Sequence, residues 1–155
     1  MLSNPLNSFY YYDSGAIPLY IEAGPQGIVA ISYRSGKTCD HGYDFKPLIF
    51  QLNSYFSGSL QRFSLPLAYD RTTFAGRVMT ALLRVPYGRT LSYGALARNA
   101  GFPGAARAVG TVMAKNPLPI LVPCHRVILS DGCLGRYSGG IGVKERLLRL
   151  ERAVI

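Results

Sequence analysis

The sequence predicts a mixed α/β fold of the α+β kind: a small amino-terminal β-sheet with a helix, then a helical carboxy-terminal part that contains a helix-turn-helix. Strand-like runs and turn signals are confined to the first half, whereas helical periodicity with capping residues fills the second. The chain has 155 residues, 48% of them hydrophobic, which is enough for one domain or two small lobes and excludes intrinsic disorder. We place the boundary between lobes 1–68 and 69–155.

The first half begins with predicted strands. Residues 8–13 are rich in aromatic side chains, residues 17–23 are apolar, and residues 28–33 form a β-branched run. The strong turn signal of residues 24–27, Gly-Pro-Gln-Gly, joins the last two runs. We therefore expect a hairpin or a meander.

A helix is expected after a loop at residues 36–43. Apolar side chains recur there at i, i+1, i+4, i+7 and i+8, a helical pattern that Gly58 could end. These side chains are Leu48, Ile49, Leu52, Tyr55 and Phe56. Residues 59–69, which include Pro66, are expected to form a strand or a linker.

The second half opens with a predicted helix that Thr72 or Thr73 can cap and that ends before Pro86. Its apolar positions are Phe74, Val78, Leu82 and Leu83.

Two further helices form the candidate helix-turn-helix. Ser92 can cap a short helix over residues 93–99, and Gly101 can end it in the left-handed conformation. Pro103 is expected just inside the start of the next helix, which runs to Lys115. Many antiparallel helix pairs share this pattern, so it is not specific by itself.

The second helix of this pair has a surface of small residues, namely Gly104, Ala105, Ala106, Ala108, Gly110 and Ala114. At about 100° per residue, Val109, Val112 and Met113 share a face, and Arg107 projects from another. Two interpretations stay open. The helix can pack tightly inside the protein with a solvated Arg107, or it can lie against a DNA groove and offer Arg107 to it. Because glycine weakens a helix, Gly110 implies a close approach of some neighbour.

All of the net charge lies in the second half. The chain carries 17 Lys and Arg against 8 Asp and Glu, a net charge of +9. Residues 1–68 contain four of each sign, so residues 69–155 hold the entire excess. Charge alone fits a nucleic-acid partner and a solvated basic surface equally. The predominance of Arg over Lys favours nucleic acid modestly, because a guanidinium suits phosphate and base edges.

Cys124 is the candidate nucleophile. It follows a segment stiffened by Pro117, Pro119 and Pro123 and lies in apolar surroundings. A buried inert thiol is the commoner role of a lone cysteine, and a nucleophile needs a neighbour that favours thiolate. In an extended strand His125 would point away from Cys124, so a bend at Pro123 or a bridging water is required.

Candidate partners of the cysteine follow it in sequence. Residues 130–132, Ser-Asp-Gly, predict a hairpin turn, and the glycines of loop 135–140 would allow a planar ligand to approach. Residues 143–151 predict a helix that directs Leu147, Leu148 and Glu151 inward. A carboxylate near a buried histidine is expected to raise its pKa. Cys124, His125 and Glu151 would then form a nucleophile, a base and an orienting group.

The other cysteines are expected to be free thiols in a reducing compartment, since no export or membrane signal is visible and three cysteines cannot all pair. We therefore expect a cytoplasmic protein. Cys39 and His41 could form half of a zinc site, but they lack a second close-spaced pair and a loop thiol is the better interpretation. Cys133 is expected in a strand.

In residues 72–151 the chain resembles the methylated-DNA-protein-cysteine methyltransferases, also called O6-alkylguanine-DNA alkyltransferases. The matching motifs are Arg107-Ala108-Val109-Gly110, Asn116-Pro117, Pro123-Cys124-His125-Arg126-Val127-Ile128, the Gly135 to Gly140 loop, and Lys144 with Leu147-Leu148 and Glu151. Tyr87-Gly88 and Ser92-Tyr93-Gly94 also match. Ala75 and Met79 depart from the family, which usually carries Gln and Trp there.

The resemblance implies a ribonuclease H-like amino-terminal lobe, a winged helix-turn-helix in the carboxy-terminal lobe, and direct reversal of DNA damage. Cys124 would take the alkyl group from O6 of a flipped guanine in one irreversible, self-inactivating transfer. His125 would deprotonate Cys124 through a water, Glu151 would hold His125, and Asn116 would fix the turn around the nucleophile.

Substrate-binding roles are implied as well. Tyr93 and Ser138 would address the guanine and its leaving oxygen, Tyr137 and Gly139 would belong to the pocket, and Met113 would supply an apolar wall. Arg107 would fill the place of the flipped base, while Ala106 and Gly110 would let the helix lie close to DNA. The implied partner is double-stranded DNA with O6-alkylguanine, bound by a monomer whose binding could be cooperative. No metal or organic cofactor is implied.

Three other functions are alternatives to alkyl transfer. A non-catalytic lesion binder of the alkyltransferase-like kind would lack the nucleophile, which Cys124 argues against. A helix-turn-helix regulator would want Asn, Gln and Arg for major-groove reading, which the Ala-rich helix does not offer. A Cys-His hydrolase would not explain the basic half.

Overall fold

The computed structural model describes residues 7–155, which belong to two compact units, Met1–Tyr69 and Asp70–Ile155. Both strands and helices are present, so the predicted mixed fold class is confirmed. The ribonuclease H-like form of the first lobe and the winged form of the helix-turn-helix stay predictions. Within residues 7–155, no helix has the length and apolarity needed to cross a membrane.

The first unit contains an antiparallel meander, as the turn signals predict. Strands β1 (Ser8–Asp13), β2 (Pro18–Gly24) and β3 (Gly27–Ser32) are hydrogen-bonded in sequence order. The register pairs Tyr12 with Leu19 and Ile21 with Ile31, and a bulge lies at Glu22 and Ala23. Alternate positions of β2 are fully buried, which explains why a period of two identifies it.

Helix α1 (Lys46–Phe56) follows, with Leu48, Leu52 and Tyr55 buried as its periodicity predicts. The Tyr12 hydroxyl donates to the Asn53 side-chain oxygen over 2.7 Å, which joins β1 to α1. Residues 59–69 are mostly irregular. They form one parallel bridge with β3, in which Ile28 N–H donates to the Pro66 carbonyl over 3.0 Å.

In the second unit, the capping residues locate two helices correctly. Helix α2 (Phe74–Leu82) begins after Thr73, whose hydroxyl accepts from Gly76 N–H over 3.0 Å. Helix α3 (Tyr93–Asn99) begins after Ser92, whose hydroxyl accepts from Ala95 N–H over 3.1 Å. Gly101 has φ +86°, the left-handed conformation that ends α3.

The next helix begins later than predicted. Helix α4 (Ala106–Ala114) starts three residues after Pro103, so the prediction that Pro103 lies inside it is wrong. Gly104 explains the difference, because its φ of +85° is incompatible with a helix and extends the turn. Helices α3 and α4 pack against each other across this turn.

The remaining elements surround the segment that carries Cys124. Strand β4 (Leu91–Ser92) pairs in parallel with β5 (Val127–Ile128), and a short 3₁₀ turn, Cys124–Arg126, precedes β5. Helix α5 (Ile141–Leu150) closes the unit. Cys133 is exposed in the loop between β5 and α5, so its predicted place in a strand is wrong. The chain turns at residues 129–133, where Leu129 N–H donates to the Cys133 carbonyl over 2.9 Å.

Replacing Gly76 with Ala is expected to lower the free energy of unfolding by about 1–3 kcal/mol, although Gly to Ala usually strengthens a helix. A Cβ at Gly76 would lie 1.8 Å from the Asp70 carbonyl oxygen and 2.9 Å from Arg71 Cα, and both are backbone atoms. Gly142→Ala is the matched control, since nothing lies within 4 Å of a Cβ in the first turn of α5. Urea denaturation should show a neutral or slightly stabilising effect for the control. Equal stabilities of the two variants would contradict the predicted clash.

Candidate functional site

A cleft in the second unit has a volume of about 950 Å³ and contains Cys124 in its lining. Helices α3 and α4, the Cys124 turn and the loops around β5 contribute its side chains. The lining comprises Ser92, Tyr93, Gly94, Arg98, Ala106, Arg107, Gly110, Met113, Ala114, Cys124, Leu129, Ser130, Gly135, Arg136, Tyr137 and Ser138. This volume lies within the usual range of ligand-binding clefts.

The backbone turns sharply at Cys124, which meets the requirement for a bend at Pro123. Cys124 N–H donates to the Val122 carbonyl over 2.8 Å, and Arg126 N–H donates to the Pro123 carbonyl over 3.0 Å. Residues 124–126 therefore form a 3₁₀ turn rather than an extended strand. The rule that neighbouring side chains of a strand point to opposite faces therefore does not apply here. Cys124 lines the cleft, whereas His125 is fully buried.

Asn116 ties together the segment that leads to this turn. Its side-chain N–H donates to the Val122 carbonyl over 3.0 Å, and its side-chain oxygen accepts from Leu118 N–H over 3.0 Å. Ile120, between these contacts, has φ +73°, a strained value for a β-branched residue. The buried Asn116 amide thus stabilises a loop that the prolines alone would not close.

His125, Arg126 and Glu151 form a buried charged cluster. His125 Nε2 donates to Glu151 Oε1 over 2.7 Å. Arg126 Nε donates to Oε2 and its NH2 group donates to Oε1, both over 2.9 Å. Gly88 N–H also donates to Oε2, over 3.2 Å, and Arg126 NH1 donates to the Val85 carbonyl over 2.6 Å. One carboxylate therefore orients the histidine and neutralises the arginine.

The pKa of His125 is lowered overall, although Glu151 acts to raise it as the sequence predicts. Complete burial disfavours the imidazolium and outweighs the hydrogen bond and charge of Glu151, which act to raise the pKa. Burial alone would raise the pKa of Glu151, but the hydrogen bonds and charges of His125 and Arg126 hold it well below its usual range. The neutral imidazole beside a carboxylate is suited to accept a proton.

The pKa of the Cys124 thiol is raised, because burial disfavours the thiolate. Three neighbours oppose this effect: a hydrogen bond from Asn116, the charge of Lys144 and a hydrogen bond from Tyr137. These neighbours would stabilise the thiolate once a base removes the thiol proton. In the resting protein, burial keeps the thiol protonated and shields it from oxidants in the solvent.

Lys144 is a functional candidate to which the sequence analysis assigns no role. Its side chain is fully buried, and the ammonium donates to the Val127 carbonyl over 2.6 Å and to the Leu134 carbonyl. It thereby connects β5 with the start of loop 135–140. Burial lowers the pKa of Lys144 to about 8, and the charge of Cys124 opposes that shift. A lysine in the first turns of an amphipathic helix carries no sequence signal of burial beyond its place in the family motif.

The residues expected to bind the guanine lie around the cleft, with one exception. Tyr93, Met113, Tyr137 and Ser138 are in its lining, whereas Gly139 is not. Burial raises the pKa of Tyr93, and the charge of Cys124 raises it further, so the phenol keeps its proton as a hydrogen-bond donor.

Helix α4 borders the same cleft through its small residues. Ala106, Arg107 and Gly110 line it, whereas Val109 and Met113 are buried as predicted and Val112, expected on the same face, is only half-buried. Arg107 is exposed. A Cβ on Gly110 would meet only the Tyr93 ring, at 3.9 Å, which is an ordinary contact. The close approach expected at Gly110 is therefore not made by the described part of this unit.

Cys39 and Cys133 lie outside the cleft and are exposed. The Cys39 thiol is 3.3 Å from His41 Nε2. Among residues 7–155, no group of three or more Cys, His, Asp or Glu side chains is arranged to hold a metal ion.

Lys144→Met is expected to shift the reactivity of Cys124 to higher pH, because it removes a charge that favours the thiolate and keeps the length of the side chain. The rate of alkylation by iodoacetamide, followed against pH, measures the shift, and we expect about a tenfold lower rate at pH 7. In the wild type, Lys144 loses its proton above about pH 8, so its charge should stabilise the Cys124 thiolate less there. The exposed Lys115→Met is the control. An unchanged pH profile for Lys144→Met would contradict this role.

A basic unit with two short helices joined by a glycine turn, set beside a cleft with a buried cysteine and a histidine–glutamate pair, defines a nucleic-acid-binding protein with a reactive thiol. The family model for the DNA-binding domain of 6-O-methylguanine DNA methyltransferase matches residues 73–153. The chain belongs to this family, the methylated-DNA-protein-cysteine methyltransferases.

Relatives extend the match along the chain. The methylated-DNA-protein-cysteine methyltransferase of Mycobacterium tuberculosis is 50% identical over 109 residues, which cover 70% of this chain and 66% of that protein. The protein of the same name from Methanosarcina acetivorans is 38% identical over 92% of this chain and 97% of its own length. Both the predicted family and the predicted enzyme class agree with these names.

Solved structures give the same result. The O6-methylguanine methyltransferase of Mycobacterium tuberculosis superposes with a TM-score of 0.82 at 41% identity, over 93% of this chain and 92% of that chain. The OGT of the same organism in complex with DNA gives 0.80 at 42% identity, with the same coverage.

Proposed function

We propose that this protein repairs O6-alkylguanine in double-stranded DNA by direct reversal, with Cys124 as the alkyl acceptor. One observation carries the proposal: the buried Cys124 lies in a cleft bordered by the small-residue face of α4 and backed by the His125–Glu151 pair. The DNA complex of the related OGT supports DNA as the partner. Lobe 69–155 would bind DNA and accept the alkyl group.

The transfer is a single displacement. His125 accepts the thiol proton through a water, and Glu151 holds the imidazole in the orientation for this step. Cys124 Sγ then forms a bond to the alkyl carbon while the bond from that carbon to O6 breaks. The electron pair passes to the guanine, which takes up one proton in exchange for the one that the thiol gave to His125 and is restored as neutral guanine. The product thioether cannot release its group, so each molecule reacts once.

The leaving guanine needs help, because charge develops on its oxygen as the bond breaks. Tyr93, which keeps its phenolic proton, and the backbone N–H groups near Ser138 would donate to the base, and both residues line the cleft. Met113 supplies an apolar wall, and Tyr137 both lines the cleft and hydrogen-bonds the thiolate. Gly139, which follows Ser138 in the loop, has no side chain that would hinder the approach of the planar base.

Access to O6 requires extrusion of the nucleotide, at a cost of a few kcal/mol. Ala106 and Gly110 leave α4 smooth enough to lie against the duplex, and the exposed Arg107 at the cleft can occupy the vacated place in the stack. We further propose that the protein acts as a monomer in the cytoplasm, where its three cysteines, all free, keep their thiols.

The intact mass of the protein after incubation with a duplex that contains O6-methylguanine tests the proposal. We expect the gain of one methyl group per molecule, and no gain for Cys124→Ser. Binding of this duplex by the wild type without a mass change would instead identify a lesion binder. Sequence-dependent binding of undamaged DNA without transfer would identify a regulator, and continuous turnover would identify a hydrolase.

A further inference from the structure

A second recess of the Asp70–Ile155 unit runs over the exposed side of α2 and the end of α3. It consists of two adjoining hollows of about 460 and 400 Å³ that share Ala81, Arg84 and Asn99. Its lining is Arg71, Arg77, Thr80, Ala81, Arg84, Val85, Pro86, Arg89, Thr90, Leu91, Asn99, Ala100 and Gly101. We call it the arginine groove, because four arginines line it.

The arginines are spaced along one line. Arg77 and Arg84 are seven residues apart, so they lie on one side of α2 and its terminal turn, about 10 Å apart along the axis. Arg77 is held in place, since its guanidinium lies over the Phe102 ring at 4.5 Å from the centroid. Arg84 and Arg89 are exposed and continue the line beyond the end of α2.

The four acids of the same unit bond to partners other than Arg84 and Arg89. Asp70 is hydrogen-bonded by Thr72, and Asp131 by Cys133 N–H. The other two acids, Glu145 and Glu151, form ion pairs with Arg149 and with the buried His125 and Arg126. Among the described residues, none of these acids forms an ion pair with Arg84 or Arg89.

The groove is separated from the cleft by α3 alone. Arg98 lines the cleft, and Asn99, the next residue, lines the groove. Phe102, on which Arg77 stacks, lies in the turn between α3 and α4 and also contacts Phe74 of α2, with ring centroids 4.7 Å apart. A ligand in the groove would thus lie beside the helix pair that borders the cleft.

We propose that the arginine groove binds the phosphate backbone of duplex DNA at a distance from the flipped nucleotide. This proposal rests on the proposed function, because it takes DNA as the partner. The guanidiniums of Arg77, Arg84 and Arg89 suit an anion with regular spacing, and phosphates of one strand advance about 3.4 Å each along the duplex. Arg77 and Arg84 would then be about three phosphates apart. The groove adds affinity without base recognition and increases the salt dependence of binding.

The test is the affinity of the full chain for an undamaged duplex, measured by fluorescence anisotropy at several salt concentrations. Each lost phosphate contact lowers the slope of log affinity against log salt by about 0.9. We expect R84Q and R89Q each to lower it by about 0.9 and R84Q/R89Q by about 1.8. R84K/R89K, which keeps both charges, should restore most of the slope.

The control is K46Q/R62Q, which removes the same charge from exposed positions of the other unit. Its slope should stay that of the wild type. Equal slopes for R84Q/R89Q and the control, or no recovery in R84K/R89K, would overturn the proposal. If the double variant does not unfold cooperatively, the two single variants decide the result. Because the duplex is undamaged, the outcome does not depend on transfer to Cys124, so this proposal can fail while the repair function stands.

Discussion

Replacement of Arg107 by Ala is expected to slow repair of O6-methylguanine in duplex DNA by about 100-fold, while the reaction with free O6-benzylguanine loses far less. Flipping costs a few kcal/mol, and each 1.4 kcal/mol that Arg107 no longer supplies is a tenfold loss of rate. Arg107 is exposed at the edge of the cleft. Its removal should therefore leave the fold intact and act on the duplex alone.

Single-turnover rates on both substrates, at equal protein concentration, measure the difference. Arg62→Ala, an exposed arginine of the other unit, is the control and should react with both substrates as the wild type does. Equal losses on duplex and free base for Arg107→Ala would show that Arg107 acts on the base or the thiol and has no part in flipping.

Glu151→Gln is expected to lower the free energy of unfolding by about 3–5 kcal/mol at pH 7, the usual effect of removing one member of a buried charged pair. The substitution keeps the size of the side chain but leaves the Arg126 charge buried without its carboxylate. It also replaces the carboxylate that orients His125 with a neutral amide, whose single oxygen cannot serve both His125 and Arg126 as the carboxylate does, so methyl transfer should slow as well.

Glu145→Gln on the same helix is the matched control. Its partner is Arg149, four residues away at 2.6 Å, and both side chains are well exposed, so we expect a change below about 1 kcal/mol. Urea denaturation of both variants measures the contrast. Similar losses for the two would mean that the buried cluster contributes no more than a surface pair.

The pH dependence of the free energy of unfolding gives an independent test of the Glu151 contribution. The pKa of Glu151 is lower in the folded protein than in the unfolded chain, where it is about 4.3. Its contribution is therefore complete above about pH 4.3 and is lost as the pH falls through the folded value. The difference in stability between the wild type and Glu151→Gln should shrink as the pH falls below about 4.3, and it should be constant above about pH 6.5, where His125 is neutral in the unfolded chain as well.

Local signals predicted the parts of the fold that depend on neighbouring residues. Thr73 and Ser92 located the starts of α2 and α3, and alternation located the strands, because caps and periodicity act within a few residues. The start of α4 was predicted wrongly at Pro103, because the preference of proline for the first turn of a helix does not show that Gly104 adopts a positive φ.

The sequence predicted which residues form the site better than it predicted the contacts between them. Cys124, His125 and Glu151 came from motif and spacing, but the bidentate pair of Arg126 with Glu151 joins residues 25 positions apart. Burial of Lys144 depends likewise on two carbonyls from a different part of the chain. The lowered pKa of His125 was missed because desolvation is a property of the packed interior, which the sequence does not display.

The most direct test of the central claim is the position and number of alkyl groups after reaction with excess O6-methylguanine duplex. Digestion and tandem mass spectrometry should find one methyl group per molecule, on Cys124, with Cys39 and Cys133 unmodified. The amount of guanine restored should equal the amount of protein and rise no further. Methyl groups on another cysteine, or more than one repaired guanine per molecule, would contradict the account.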